Sequence, residues 1–199
     1  MSSPSSSNAS TRLAVIIGST REGRFGPTVA RWFVEHASRR GDLDIDVIDL
    51  ADFEIPIQYG SGGQAAMAPF RARLAVADAV VVVTPEYNHG YPAALKQAID
   101  FVQAELQAKP VGFVSYGGIS GGLRAVEQLR LVFAELHAVT IRDGVSLHFG
   151  WNLFDEAGSM HEPENPLVAV TVMLDELTWF ARALRTARDE RSYSSLRAA

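Results

Sequence analysis

The chain has 199 residues and no cysteine, with 18 Lys and Arg against 23 Asp and Glu for a formal net charge of −5. That length suits one domain of about 100–200 residues, and the missing thiols exclude disulfides, thiolate metal sites, iron–sulfur clusters and a cysteine nucleophile. The acidic balance argues against a general nucleic-acid binder, since neutralising phosphates needs a basic excess.

Residues 1–11 are rich in serine, include Pro4 and Asn8, and lack the apolar core of a secretory signal. They read as a disordered tail. No run reaches the roughly 18–20 apolar residues of a membrane span, so a soluble, cytoplasmic chain with no membrane partner is expected. A single domain is expected over residues 12–190, with a C-terminal tail over 191–199.

The pattern then alternates strand and helix. Leu13 to Ile17 is a continuous apolar strand ending at Gly18. A helix over residues 28–40 places Val29, Trp32, Phe33 and Ala37 on one face. The strand over 45–50 alternates and reads as closer to a sheet edge. A helix follows over 66–77, and residues 79–84 form the strongest strand. A helix over 92–107 opens on a proline, which suits a first turn. A fourth strand covers 111–115. The helix over 122–137 buries Leu123, Val126, Leu129, Phe133 and Leu136. A weaker strand lies within 139–149, and a last helix covers 167–188. Continuous β-branched runs imply strands buried on both faces. Alternation with helices implies an α/β domain with right-handed crossovers.

In such sheets ligands bind beyond the carboxyl ends of the strands. Three loops there are unusual. The first, Gly18 to Thr28, reads GSTREGRFGPT and precedes a helix start, where free N–H groups suit a phosphate. Ser19, Thr20 and Thr28 add hydroxyls, and Arg21 and Arg24 can fork onto phosphate oxygens. The loop matches neither G-x-G-x-x-G nor the P-loop, and the missing lysine speaks against ATP hydrolysis. A capped, solvated turn is the plainer alternative. The second, Thr84 to Pro92, reads TPEYNHGYP; it suits a planar ring or serves as an ordinary turn. The third, Ser115 to Gly122, reads SYGGISGG and lets a ligand approach backbone N–H groups closely, or is a flexible connection.

Together these segments carry a resemblance. Gly18-Ser19-Thr20-Arg21-x-x-Arg24, then Thr84-Pro85-Glu86-Tyr87-Asn88 with Pro92-x-x-Leu95-Lys96-x-Ala98-Ile99-Asp100, then Ser115-Tyr116-Gly117-Gly118, resemble the NADPH-dependent FMN reductase family. The likeness runs from about Leu13 to Leu184. It implies a flavodoxin-like three-layer sandwich with a five-stranded parallel sheet of order 2-1-3-4-5, and tightly bound FMN with NADPH as reductant. By matching motif, Ser19, Arg21, Arg24, Gly26 and Thr28 hold the phosphate. Pro85, Glu86, Tyr87 and Asn88 line the isoalloxazine, chiefly through backbone groups. Ser115, Tyr116, Gly117 and Gly118 approach its pyrimidine end. The resemblance also implies a homodimer or homotetramer, with His89 and Tyr91 where a partner chain or substrate touches.

The expected activity is passage of hydride from NAD(P)H through FMN to quinone, azo, flavin or metal-oxyanion acceptors. No side-chain acid or base is required, so no catalytic residue is assigned. The rival reading is a non-enzymatic flavodoxin-like electron carrier or redox-sensing partner; the two arginines of the first loop favour the reductase. A third treats FMN as a released substrate. His36, His89, His137, His148 and His161 are scattered without metal-ligand spacing, so no metal is expected.

Overall fold

The structure is a computed structural model and describes residues 10–197. The expected tail over residues 1–11 lies outside the described residues except at its last two positions, and Thr11 already belongs to the sheet. The strands are β1 (Thr11–Ile17), β2 (Leu43–Asp49), β3 (Ala79–Pro85), β4 (Pro110–Gly117), β5 (Val139–Thr140) and β6 (Val145–His148). The helices are α1 (Gly26–Ser38), α2 (Ser61–Ala66), α3 (Ala68–Val76), α4 (Ala93–Asp100), α5 (Leu123–Glu135) and α6 (Glu164–Glu190).

All strand pairs are parallel, in the order β2-β1-β3-β4-β5, with β6 also on β4. This is the flavodoxin-like order the resemblance implies. The interior strands β3 and β4 are buried along their whole length, whereas β2 is half-exposed and alternates, as an edge strand should. One face packs Val15, Val83 and Val114 against Val29 and Phe33 of α1 and Leu174 and Leu177 of α6. The other packs Ile16, Val82 and Phe113 against Leu74, Leu95 and Phe133 of α3, α4 and α5. Each of these large side chains contributes roughly 1.5–3 kcal/mol by leaving water.

Three elements differ from the periodicity. The expected helix over 66–77 is α3, shorter at both ends, and a further short helix, α2, precedes it and is separated from it at Met67. The helix expected to reach residue 107 stops at Asp100, and a short 3-10 turn follows over Ala104–Leu106. Glu105 accepts from the Gln103 N–H at 2.9 Å and pairs with Arg71, which holds that turn away from the helix axis. The fifth strand is split. Ile141 turns into the core beside Gly112, and side chains take over the lost ladder bonds. Arg130 of α5 donates to the Ile141 carbonyl at 2.6 Å, while Glu176 of α6 accepts from the Asp143 N–H at 2.8 Å.

The polar anchor of the fold sits at the amino end of the sheet. Asp78, 1% exposed, accepts from the Arg12 backbone N–H at 3.0 Å and pairs with Arg12 and Arg185. Burial pushes its carboxyl up, but the Arg12 bonds and charge outweigh that and hold it below the usual carboxylate range. Nearby Lys109 is buried and donates to the Leu74 and Ala75 carbonyls at 2.8 and 2.7 Å, at the end of α3. Burial, with Arg188 adding like charge, lowers its pKa to about 8. The unfolded chain therefore binds more protons than the native one between pH 8 and the ordinary lysine range. Stability should rise with pH across that window, by at most about 3 kcal/mol, because each pKa unit is worth about 1.4 kcal/mol. Urea unfolding at pH 7.5 and 9.5, below the range where an unfolded Tyr116 would ionise, measures the rise, and Lys109→Met should abolish it.

Candidate functional site

The sheet order leaves the loops after β1, β3 and β4 side by side at the carboxyl edge. Two contacts join the first to the second. The fully buried Ser19 places its hydroxyl 2.7 Å from the Tyr87 hydroxyl. The Arg21 guanidinium lies 3.7 Å above the Tyr87 ring, a cation–π contact at the surface.

The two arginines of the first loop have different duties. Arg24 forks onto Asp49, at the end of β2, with N–O distances of 2.6 and 2.8 Å, and also donates to the Ser19 carbonyl at 3.1 Å. The Asp49 bond raises its pKa further. Its charge is thus largely neutralised, and its geometry serves to shape the loop. Arg21 is exposed, and among the described residues no carboxylate pairs with it.

Helix α1 then begins with no side-chain cap and no acidic residue in its first turn. Pro27 occupies a position where a missing N–H costs nothing. A Cβ on Gly26 would sit 3.0 Å from both Ile17 Cγ2 and the Tyr116 hydroxyl, so only glycine enters here without displacing a neighbour. The Tyr116 hydroxyl itself is buried without a hydrogen-bond partner, and burial pushes the phenol well up, so it stays neutral. Thr20 is exposed and Thr28 half-buried at the same helix start.

In the second loop, Tyr87 and Gly90 exchange backbone hydrogen bonds of 2.8 and 3.0 Å. Asn88 and His89 between them have φ of 50° and 68°. Two left-handed residues make a type I′ turn, a conformation that Asn and His enter more readily than other non-glycine residues. Gln128 of α5 donates to the His89 carbonyl at 2.7 Å and holds the turn. The Glu86 side chain accepts from Ser120 Oγ at 2.7 Å, from the Arg124 backbone N–H at 3.1 Å and from Arg124 Nη1 at 2.7 Å. Burial raises its pKa, but these donors and the Arg124 charge prevail and leave it below the usual range. Glu86 thus ties the second loop to the third, and with its N–H donated to the Tyr116 carbonyl, its backbone carbonyl is what remains for a ligand.

The third loop's glycines divide in the same way. Gly121 and Gly122 have φ of 59° and 88°, and a Cβ on Gly122 would lie 2.7 Å from Ser115 Cβ. The chain's own packing demands both. Ser115 is buried and donates to the Gly121 carbonyl at 2.8 Å, so its hydroxyl serves the loop. Around Gly118 the space is open, with Trp151 Cη2 at 3.8 Å from an added Cβ. Pro85 pairs with Tyr116 in the ladder, and the Glu86 N–H donates to the Tyr116 carbonyl at 3.1 Å, which seats the second and third loops together. A recess of about 450 Å³ opens beside Thr20, between residues 50–57 and the start of α4.

Sequence reasoning missed Asp49, Ser120, Arg124 and Gln128. All four act across more than twenty residues of chain, and no local motif announces them.

Donors without acceptors at an uncapped helix start, beside a parallel sheet of order 2-1-3-4-5, define a flavodoxin-like protein built to receive a phosphorylated ligand. The comparisons give that class its family. The profile of the NADPH-dependent FMN reductases matches residues 11–152, and the chain belongs to that family. Family members are oxidoreductases that take FMN as flavin and NAD(P)H as reductant. The NAD(P)H-dependent FMN reductase LOT6 of Saccharomyces cerevisiae is 31% identical over 198 residues, covering 90% of this chain and 100% of that protein. An NAD(P)H-dependent FMN reductase of Schizosaccharomyces pombe is 38% identical over 120 residues, which span 56% of this chain and 60% of that protein. The quinone reductase of Escherichia coli K12 is 31% identical, covering 65% and 73%. The solved flavoenzyme FerB of Paracoccus denitrificans shares the fold at a TM-score of 0.70 and 20% identity, covering 86% of this chain and 98% of that one.

The Arg24–Asp49 fork predicts a stability effect separate from any ligand. Arg24→Ala and Asp49→Asn should each cost roughly 1.5–3 kcal/mol, as charge-assisted hydrogen bonds do. The double variant should cost clearly less than the two together, measured by denaturant unfolding of all four proteins.

Proposed function

We propose that this protein is an FMN-dependent NAD(P)H oxidoreductase that passes hydride from NADPH to small oxidants. Quinones are the first acceptor class, with azo compounds, free flavin and metal oxyanions as the wider set. The observation that carries this reading is Arg21, a cation without a carboxylate partner, beside the uncapped start of α1. Such a donor set suits the phosphate of FMN, and every carboxylate near it is already committed elsewhere or turned to solvent.

In this reading the first loop holds the phosphate through Arg21, through backbone N–H groups at Phe25 and Gly26, and through the hydroxyls of Thr20 and Thr28. Ser19 and Arg24 give that loop its shape. Pro85, Glu86, Tyr87 and Asn88 line the ring, with the Asn88 N–H and the Glu86 carbonyl as the backbone groups left to meet it and Tyr87 fixed at its hydroxyl and across its face. Gly117 and Gly118 bring backbone N–H groups to the pyrimidine end, where they steady negative charge. FMN, when bound, supplies the redox chemistry, accepting a hydride equivalent from the nicotinamide and passing two electrons onward. The protein's own work is to bind and orient, and no acid or base side chain is assigned to the reaction.

Homodimer or homotetramer assembly and a cytoplasmic location belong to the same proposal. Supporting it, no helix among the described residues is long and apolar enough to cross a membrane. Exposed Ile57 and Tyr59, at 92% and 57%, would suit a subunit contact.

A visible spectrum before and after anaerobic NADPH tests the activity. The expected result is a yellow protein whose bound flavin bleaches. Flavin that is held but not bleached would return the reading to an electron carrier. Arg21→Ala should weaken FMN binding roughly 10- to 100-fold, the worth of a charge-assisted contact, with little change in unfolding midpoint. Equilibrium titration with FMN measures it.

A further inference from the structure

The described chain carries an exposed aromatic pair at the edge where the three loops meet. Phe149 and Trp151 follow β6 and are 48% and 53% exposed. Their rings meet edge to face, with centroids 6.3 Å apart and planes at 89°. The pair is anchored on the glycine loop. The Phe149 N–H donates to the Gly118 carbonyl at 3.1 Å, and the Trp151 ring edge comes close to the open side of Gly118, with Cη2 3.8 Å from where a Cβ would stand. Gly150 between them packs against the Tyr116 Cβ.

Packing alone does not account for this arrangement. Phe149 has φ of 47°, a left-handed backbone that a bulky aromatic rarely adopts and that Gly or Asn would take without strain. A strained backbone that presents a large apolar ring to water marks a site with something to bind. Ile119 of the same loop is 75% exposed, and its carbonyl accepts from His148 Nδ1 at 2.9 Å, which keeps the surface rigid.

Charge selects the ligand. Arg124, at the start of α5 just beyond this loop, is committed to Glu86. Aromatic faces without a free cation suit a neutral planar ring better than the phosphates of a nucleotide.

We propose that Trp151 and Phe149 position a neutral planar acceptor of the quinone class beside the glycine loop, and so favour planar over non-planar oxidants. The inference rests on the flavoenzyme reading above. In the balanced reaction the quinone gains two electrons and two protons and leaves as the hydroquinone. NAD(P)H leaves as NAD(P)⁺, and the second proton comes from water. The aromatic pair takes no part in either transfer.

The test is steady-state kinetics of the FMN-loaded protein with NADPH, using 2-methyl-1,4-naphthoquinone as planar acceptor and ferricyanide as non-planar control. Trp151→Ala should raise the quinone KM roughly tenfold while kcat changes less than twofold, the scale of one lost stacking contact. The ratio of quinone to ferricyanide kcat/KM should fall by the same factor, and Trp151→Phe should restore most of it. Phe149→Gly should raise the melting temperature by relieving strain, yet also raise the quinone KM, a combination that a purely structural role does not produce. An unchanged quinone KM in Trp151→Ala would overturn the proposal. So would an equal loss with both acceptors accompanied by weaker FMN binding, which would make the pair part of the flavin cradle. A tenfold rise in quinone KM from Ile57→Glu instead would place the acceptor in the recess beside Thr20. Absence of NADPH-dependent ferricyanide reduction by the unaltered protein would overturn the flavoenzyme reading itself, and this proposal with it.

Discussion

Strands β3 and β4 are covered on both faces, so their backbone polar groups can be satisfied only by neighbouring strands. That constraint sets the rest of the molecule. Parallel pairing needs a crossover between each pair of strands, and the crossovers supply the helices that keep the faces dry. Every strand therefore points its carboxyl end the same way. The loops after β1, β3 and β4 share one edge because the pairing leaves them nowhere else. The ionic anchor around Asp78 lies at the opposite edge.

At the ligand edge, polar side chains do two kinds of work. Some join loops to each other. Tyr87 bonds Ser19 and carries Arg21 on its ring, and Glu86 gathers Ser120 and Arg124. The remainder is left unmatched: Arg21, the Phe25 and Gly26 N–H groups at the start of α1, and the Gly118 N–H. The unmatched set is small because the joining set is large. Pre-organised donors lose little freedom when a phosphate arrives, which is where the affinity of such a site comes from.

Much of this was legible in the chain. The apolar runs of β1, β3 and β4 and the alternation of β2 follow directly from residue type, and three loop motifs in order indicated the family. The roles within the motifs were less legible. Arg21 and Arg24 look alike as letters, yet one is neutralised by Asp49 from a neighbouring strand. Gly117, Gly118, Gly121 and Gly122 look like one flexible run. Gly121 and Gly122 are required by positive φ and by contacts with Ser146 and Ser115, an added Cβ on Gly117 would lie 3.1 Å from the Gly122 nitrogen, and only Gly118 faces open space. Periodicity also ran α4 too far, because it does not register that Glu105 closes a competing turn.

The sequence by itself determined the strand and helix alternation, the buried character of the central sheet and the identity of the three loops. Those are local properties of hydrophobic pattern and turn chemistry. Only the tertiary structure decided which charges are spent and which remain, since ion pairs such as Arg24–Asp49 and Glu86–Arg124 join residues far apart in the chain. The opening charge of −5 gains its meaning there. At the ligand edge Asp49 and Glu86 are held by arginines, Glu22 is exposed to solvent, and Arg21 is left over.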